Sequence, residues 1–339
     1  MTTINLREAP RPFNAAPQIP ALLGYLACVF GLGCSSPRDL GTPNAGPGDP
    51  NVLAGTFQVR LVPPAPGVGG STDTPGYTDV RGKVYSGPSP SYIVWEPGNK
   101  AGDCQLLLPR IPFCSTPCGG AAACVEDDTC LPYPDGRIVG KVTAKGLKTA
   151  DGDTQFTMEP FALSYQIPEE LTLAFPPFAE GDAIRFEASG DDYSAFAIDA
   201  KGVSVFELLS GPITLEPNKA VNLLWTPPLQ AGLSRIHVSI DISHHGGIKG
   251  IIECDAEDTG SLELPSTLLT ELLNLGVAGF PTVHIARRFV GSTTIEPGRV
   301  DLAVVSDVLL PIEIPGLTSC NDDSSCPNGQ TCQPDETCQ

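Results

Sequence analysis

Twelve cysteines carry most of the chemistry available to this 339-residue chain, and their spacing sorts them. Two segments share one pattern. Cys118-Gly-Gly-Ala-Ala-Ala-Cys124-Val-Glu-Asp-Asp-Thr-Cys130 and Cys326-Pro-Asn-Gly-Gln-Thr-Cys332-Gln-Pro-Asp-Glu-Thr-Cys338 both read C-x5-C-x5-C and both end in Asp, an acid, Thr and Cys. Each has one further cysteine upstream, Cys114 and Cys320. A stretch of about 20 residues cannot bury enough apolar surface to fold unaided, so covalent links must hold it. Four cysteines allow three pairings. The interleaved one is taken as the working expectation: Cys114 with Cys124 and Cys118 with Cys130, then Cys320 with Cys332 and Cys326 with Cys338. Cys104 and Cys254 remain, as a pair stapling the root of the first module to a second β domain. Zinc is the competing use of clustered cysteines, but it favours C-x2-C knuckles, and the chain has none. No metal site is assigned.

Other chemistry is sparse. The sequence has no G-x-S-x-G elbow, no H-E-x-x-H, no phosphate loop and no G-x-G-x-x-G after a strand. Of four histidines, His237 and His284 fall opposite apolar neighbours on alternating runs and are expected to face solvent, while His244 and His245 occupy a Gly-rich turn. Acidic residues gather in turns at Asp151 and Asp153, at Asp191 and Asp192, and at Asp255, Glu257 and Asp258. Calcium needs six to eight oxygens, which such loops can supply, so a calcium- or glycan-dependent binding module is one alternative. A hydrolase with residues dispersed over loops is the other. Aromatic residues are only 6%, and Trp95 and Trp225 sit in apolar runs that suit a core better than a glycan platform. The chain is therefore read as a non-enzyme without catalytic residues or cofactor.

The elements that position these groups follow from composition and pattern. With 36 Gly and 35 Pro, short strands with tight turns are favoured over helix bundles. A formal charge of -19 excludes a nucleic-acid partner, since phosphate affinity comes from clustered Lys and Arg. Phe57, Val59 and Leu61 alternate with Gln58 and Arg60, the period-2 mark of a half-buried strand. Further strands are expected at short intervals, among them Asp79–Tyr85, Leu171–Phe175, Ala183–Ala188, Val203–Leu208, Ala220–Thr226, Ser234–Ile242, Thr282–Arg288 and Arg299–Val305. One helix is expected over 266–275, opened by Pro265 and closed by Gly276. The fold class is mainly β: one or two antiparallel sandwiches, a short helix and two small disulfide-rich modules. The expected organisation is a leader at 1–33, a Gly/Pro linker at 34–55 and a first sandwich at 56–210 with a Cys-rich insert at 104–134. A second sandwich at 211–316 and the C-terminal module at 317–339 complete it.

Three resemblances add to this reading. The apolar run Ala21–Gly33 is too short to span a bilayer, and it leads into Leu32-Gly33-Cys34 followed by Ser35. This resembles a bacterial lipoprotein signal, which implies cleavage before Cys34 and its acylation. Ser35 in place of Asp implies an outer-membrane lipoprotein of a Gram-negative bacterium, facing the periplasm or the surface. Several acyl chains make a stable tether where one does not. Cys28 would leave with the leader, so ten cysteines remain to pair, as an oxidising compartment favours. The two modules resemble the small cysteine-rich units of secreted lipoproteins from environmental Gram-negative bacteria. The stretch Ala220–Pro228, with Trp225 ahead of a Pro-Pro turn, resembles an early core strand of fibronectin type III domains, an immunoglobulin-like topology. The implied role is that of a lipid-anchored envelope protein that builds or binds, with an envelope protein or a glycan as partner.

Overall fold

The computed structural model describes residues 49–65 and 72–339; the leader, Cys34 and most of the linker lie outside them. The alternation around Phe57 becomes β1 (Leu53–Val62), with Phe57, Val59 and Leu61 buried. β2 (Tyr77–Tyr85), β3 (Val94–Ala101) and β4 (Cys104–Arg110) follow, and then β5 (Ala122–Glu126) and β6 (Thr129–Pro132) within the first cysteine module. Next come β7 (Gly136–Arg137), β8 (Val142–Lys145), β9 (Gln155–Met158), β10 (Tyr165–Gln166), β11 (Ala183–Ala188) and β12 (Phe196–Lys201). β13 (Ile213–Thr214) and β14 (Val221–Leu224) lead to β15 (Arg235–Asp241), β16 (Ile251–Glu257) and β17 (Ser261–Leu264). Helix α1 (Ser266–Asn274) precedes the two longest strands, β18 (Thr282–Ile295) and β19 (Gly298–Glu313). α1 buries Leu268, Leu269 and Leu272 and packs against β3, β4 and β16.

The architecture is mainly β. One large sheet has the strand order β10-β2-β1-β19-β18-β15-β16-β4-β3, with β7 joined to β2 and β13 to β19. A four-stranded sheet, β12-β11-β8-β9, covers one end of it. Between them lies a first core, where Phe57, Val59, Leu302 and Val304 meet Val142, Phe156, Ile184, Phe186 and Ile198. β12 passes close over β18 at Gly291, where a Cβ would strike the Asp199 carbonyl oxygen. A second core forms where the β14–β17 pair and α1 cover β15, β16, β18 and β4. Trp225, Leu223, Leu264 and Leu269 meet Ile236, Val238, Ile252 and Ile285 there.

Three features differ from the sequence expectation. The sheet is not wholly antiparallel, because β1 and β13 both run parallel to β19. β1 and β19 are joined through nearly the whole chain, so no hairpin dictates their direction. The large sheet also crosses the expected boundary at 210. β4 pairs with β16, Cys104 and Leu106 belong to the second core, and β18 and β19 line both cores. Strands of 14 and 16 residues make this feasible, since each residue adds about 3.3 Å. Finally, Leu171–Phe175 and Val203–Leu208 contribute only single bridges, Leu173 to Thr149 and Leu208 to Trp225. Val203–Leu208 runs between the cores, where the Phe206 N–H donates to the Ser306 hydroxyl at 2.8 Å instead of to a ladder.

Candidate functional site

The cysteine modules are built alike. In the first, β5 and β6 form a hairpin that pairs Cys124 with Cys130, and disulfides join Cys114 to Cys124 and Cys118 to Cys130. In the second, Cys332 bridges Cys338, and disulfides join Cys320 to Cys332 and Cys326 to Cys338. Three sulfurs of each module lie within 4.8 Å of one another, but all are disulfide-bonded, so none offers a thiolate to a metal. Cys104 and Cys254 are joined across directly opposed positions of β4 and β16 inside the second core, so this bond links neighbouring strands of one sheet.

The first module is shaped by its acids. The Asp127 carboxylate accepts the Phe113 N–H at 3.0 Å, and Asp128 accepts the Ser115 N–H at 2.8 Å and its hydroxyl at 2.5 Å. Those two bonds hold Asp128 below the usual carboxylate range. The Cys-rich segment also carries exposed apolar side chains at Ile111 (65%), Phe113 (73%) and Tyr133. The tip Glu126–Cys130 is itself exposed.

The outward face of the large sheet carries a second polar group. Val283 and Ile285 point into the second core, which puts His284 on the opposite face. Asp307, from β19, accepts the Arg60 Nε at 2.6 Å and Nη2 at 2.9 Å, and lies 2.7 Å from His284 Nε2. Burial pushes the Asp307 carboxyl up, but bonds from His284 and Arg60 outweigh it and hold the group below its ordinary range. His284 was expected to face solvent. Its side chain is only 15% exposed, because Asp307 is its diagonal neighbour across the ladder and the ring is drawn down onto it. His237 is half-buried on the same face. His284 Nδ1 is buried without a hydrogen-bond partner among the described residues. Ser239 lies opposite His284 in the β15–β18 register without bonding that nitrogen. The arrangement is an imidazole–carboxylate–guanidinium chain, suited to pairing charge across three strands.

The group that sequence reasoning missed is buried. Arg287 shares the inward side of β18 with Val283 and Ile285, and its Nε lies 2.6 Å from Asp258 Oδ2. Asp258 also accepts Trp225 Nε1 and the Ser234 hydroxyl, each at 2.7 Å. Arg287 donates onward to the Thr226 carbonyl at 2.6 Å and the Ser204 hydroxyl at 2.9 Å, beside the Phe206 ring. The parity of the alternating run was the available signal. At that loop Asp258 is held by Arg287, and Asp255 by Arg235 at 2.6 Å and Arg288 at 2.9 Å. Trp225 fills the second core as expected, whereas Trp95 is half-buried on the edge strand β3.

No family model and no curated protein matches the sequence. Among solved structures, the FN1-FN3 domains of chicken CNTN1 align over 70% of this chain and 78% of that one. The identity is 9% and the TM-score 0.19.

Proposed function

We propose that this is an exported protein, lipid-anchored at Cys34, whose β body is a disulfide-stapled scaffold with a structural or binding role in the cell envelope. The observation that supports it is the disposition of sulfur. All ten cysteines beyond Cys34 are paired in five disulfides, the state that an oxidising compartment maintains. No helix among the described residues is long and apolar enough to cross a membrane, so on this reading attachment falls to the acylated cysteine. The binding surface is the exposed first module with Ile111, Phe113 and Tyr133, offered to an envelope protein or glycan. The test is metabolic labelling with an alkyne fatty acid in a Gram-negative host. Label should appear on the wild-type chain in the outer-membrane fraction and vanish in Cys34→Ser. Label persisting in Cys34→Ser, or an unlabelled and freely soluble wild type, would overturn the anchor.

A further inference from the structure

The two modules are one device in two situations. Asp127, Asp128, Thr129 and Cys130 correspond to Asp335, Glu336, Thr337 and Cys338. The match extends to the backbone, since the residue after the first Asp has positive φ in both, 57° at Asp128 and 60° at Glu336. The opposed cysteines and the interleaved disulfides match as well.

Their surroundings differ. The second tip sits on the turn 243–246 and the loop 276–280. Gly279 N–H donates to the Asp335 carbonyl at 2.7 Å, and the Ser319 hydroxyl donates to the Gly279 carbonyl at 2.6 Å. Thr337 is 4% exposed, and the Glu336 carboxylate acts electrostatically on His244. This seat is held main chain to main chain, with Phe280 N–H on the His244 carbonyl at 2.8 Å and Ala278 N–H on that of Ile242 at 3.0 Å. Gly279 has φ 57°, and a Cβ there would strike the His244 carbonyl oxygen, so the seat depends on glycine. In the first module every residue of the tip is exposed. Phe113 takes the place before the first cysteine that Ser319 holds in the second.

We propose that the seat formed by 243–246 and 276–280 accepts the tip of either module, and that a first module from a second copy of the chain docks there once the resident second module leaves. The occupant is argued from the repeat. Both tips offer the same main-chain turn to Gly279, with positive φ at Asp128 as at Glu336. Within one copy the tethered second module competes at an effective concentration of order millimolar, so it keeps the seat closed and the chain monomeric. Once released, each copy carries a free seat and a free module at different places. That contact is heterologous and propagates head to tail. The inference goes beyond the anchoring proposal and stands or falls without it.

The test uses the full chain. Thr337→Arg places a guanidinium at the centre of the seated tip and should release it with all five disulfides retained by peptide mapping. Sedimentation velocity should then show a monomeric wild type, and a Thr337→Arg chain whose mean mass at least doubles with concentration. Adding Thr129→Arg should restore the monomer. A Thr337→Arg chain that stays monomeric at every concentration, or association that survives Thr129→Arg, overturns the proposal. Should Thr337→Arg fail to fold, Glu336→Lys is the milder release, combined with a photo-crosslinking phenylalanine analogue at position 113. Cross-links between copies to 243–246 or 276–280 support the seat; cross-links elsewhere only, or none, sink it.

Discussion

Arg287 and Asp258 form an ion pair with 1% and 0% of their side chains exposed, at the line where two cores meet on one sheet. Every oxygen of the carboxylate is used, by Arg287, Trp225 and Ser234, and the guanidinium reaches carbonyl and hydroxyl oxygens beyond it. The pair therefore ties β18 to the loops after β12, β14 and β16.

Removing one partner leaves the other charged and desolvated. Asp258→Ala should cost about 3–5 kcal/mol. Replacing both with apolar residues, as in Arg287→Met with Asp258→Leu, should recover most of that loss, because the double variant removes both desolvation penalties. Guanidinium denaturation midpoints decide the matter, and a double variant no more stable than Asp258→Ala would contradict it.

Asp307 gives the chain an acid-sensitive joint. Its folded pKa lies below the ordinary value, because the bonds from His284 and Arg60 outweigh desolvation. A depressed carboxylate stabilises the fold above the unfolded pKa, about 3.9, and that contribution is lost as pH falls through the folded value. Wild type should hold a stability advantage over Asp307→Asn at neutral pH that narrows as pH drops below about 4. An advantage constant down to strong acid would refute this.

His244 works in the same direction at higher pH. Burial lowers its pKa first, with His245 adding to the effect, against opposing pulls from Asp241 and Glu336. The unfolded chain takes up a proton near pH 6.5, before the folded one does, so stability present above about 6.5 declines as pH falls toward the folded value. His244→Gln should flatten the stability profile just below that pH. Equal slopes in variant and wild type would exclude His244 as the source.

The disulfides should divide into global and local classes. Cys104 and Cys254 are buried and 150 residues apart in sequence, so replacing both with Ala should cost about 5 kcal/mol in the main transition. The Cys118–Cys130 bond spans 12 residues in a hairpin with no ladder to the large sheet. Replacing that pair should expose the first module to protease while the denaturation midpoint of the body holds. Coupled loss of both would show that the module supports the scaffold.

The strongly periodic elements were legible. β1 follows from Phe57, Val59 and Leu61, β15 from the alternation of Ile236, Val238 and Ile240, and α1 matches its expected span within one residue. β4 was hidden because Leu106, Leu107 and Leu108 run consecutively into Pro109, which breaks alternation. Apart from the expected Cys104–Cys254 link between β4 and β16, strand pairing was not legible. The meeting of β1 with β19 is decided by which apolar faces can be buried together, and local pattern carries no record of partner. Nor did local pattern show that Asp307 would draw His284 and Arg60 together, since all three sit at ordinary outward positions on separate strands.

The parallel contact of β1 with β19 has a mechanical meaning. Leu53 lies opposite Arg299 and Leu61 opposite Ser306, and both strands point the same way. Tension applied between the chain ahead of Leu53 and the chain beyond Glu313 slides the two strands along each other instead of peeling them apart. The evenly spaced bonds of a parallel ladder then share the load together. Under pull the scaffold is a clamp loaded in shear, where an antiparallel neighbour at the same place would open like a zip.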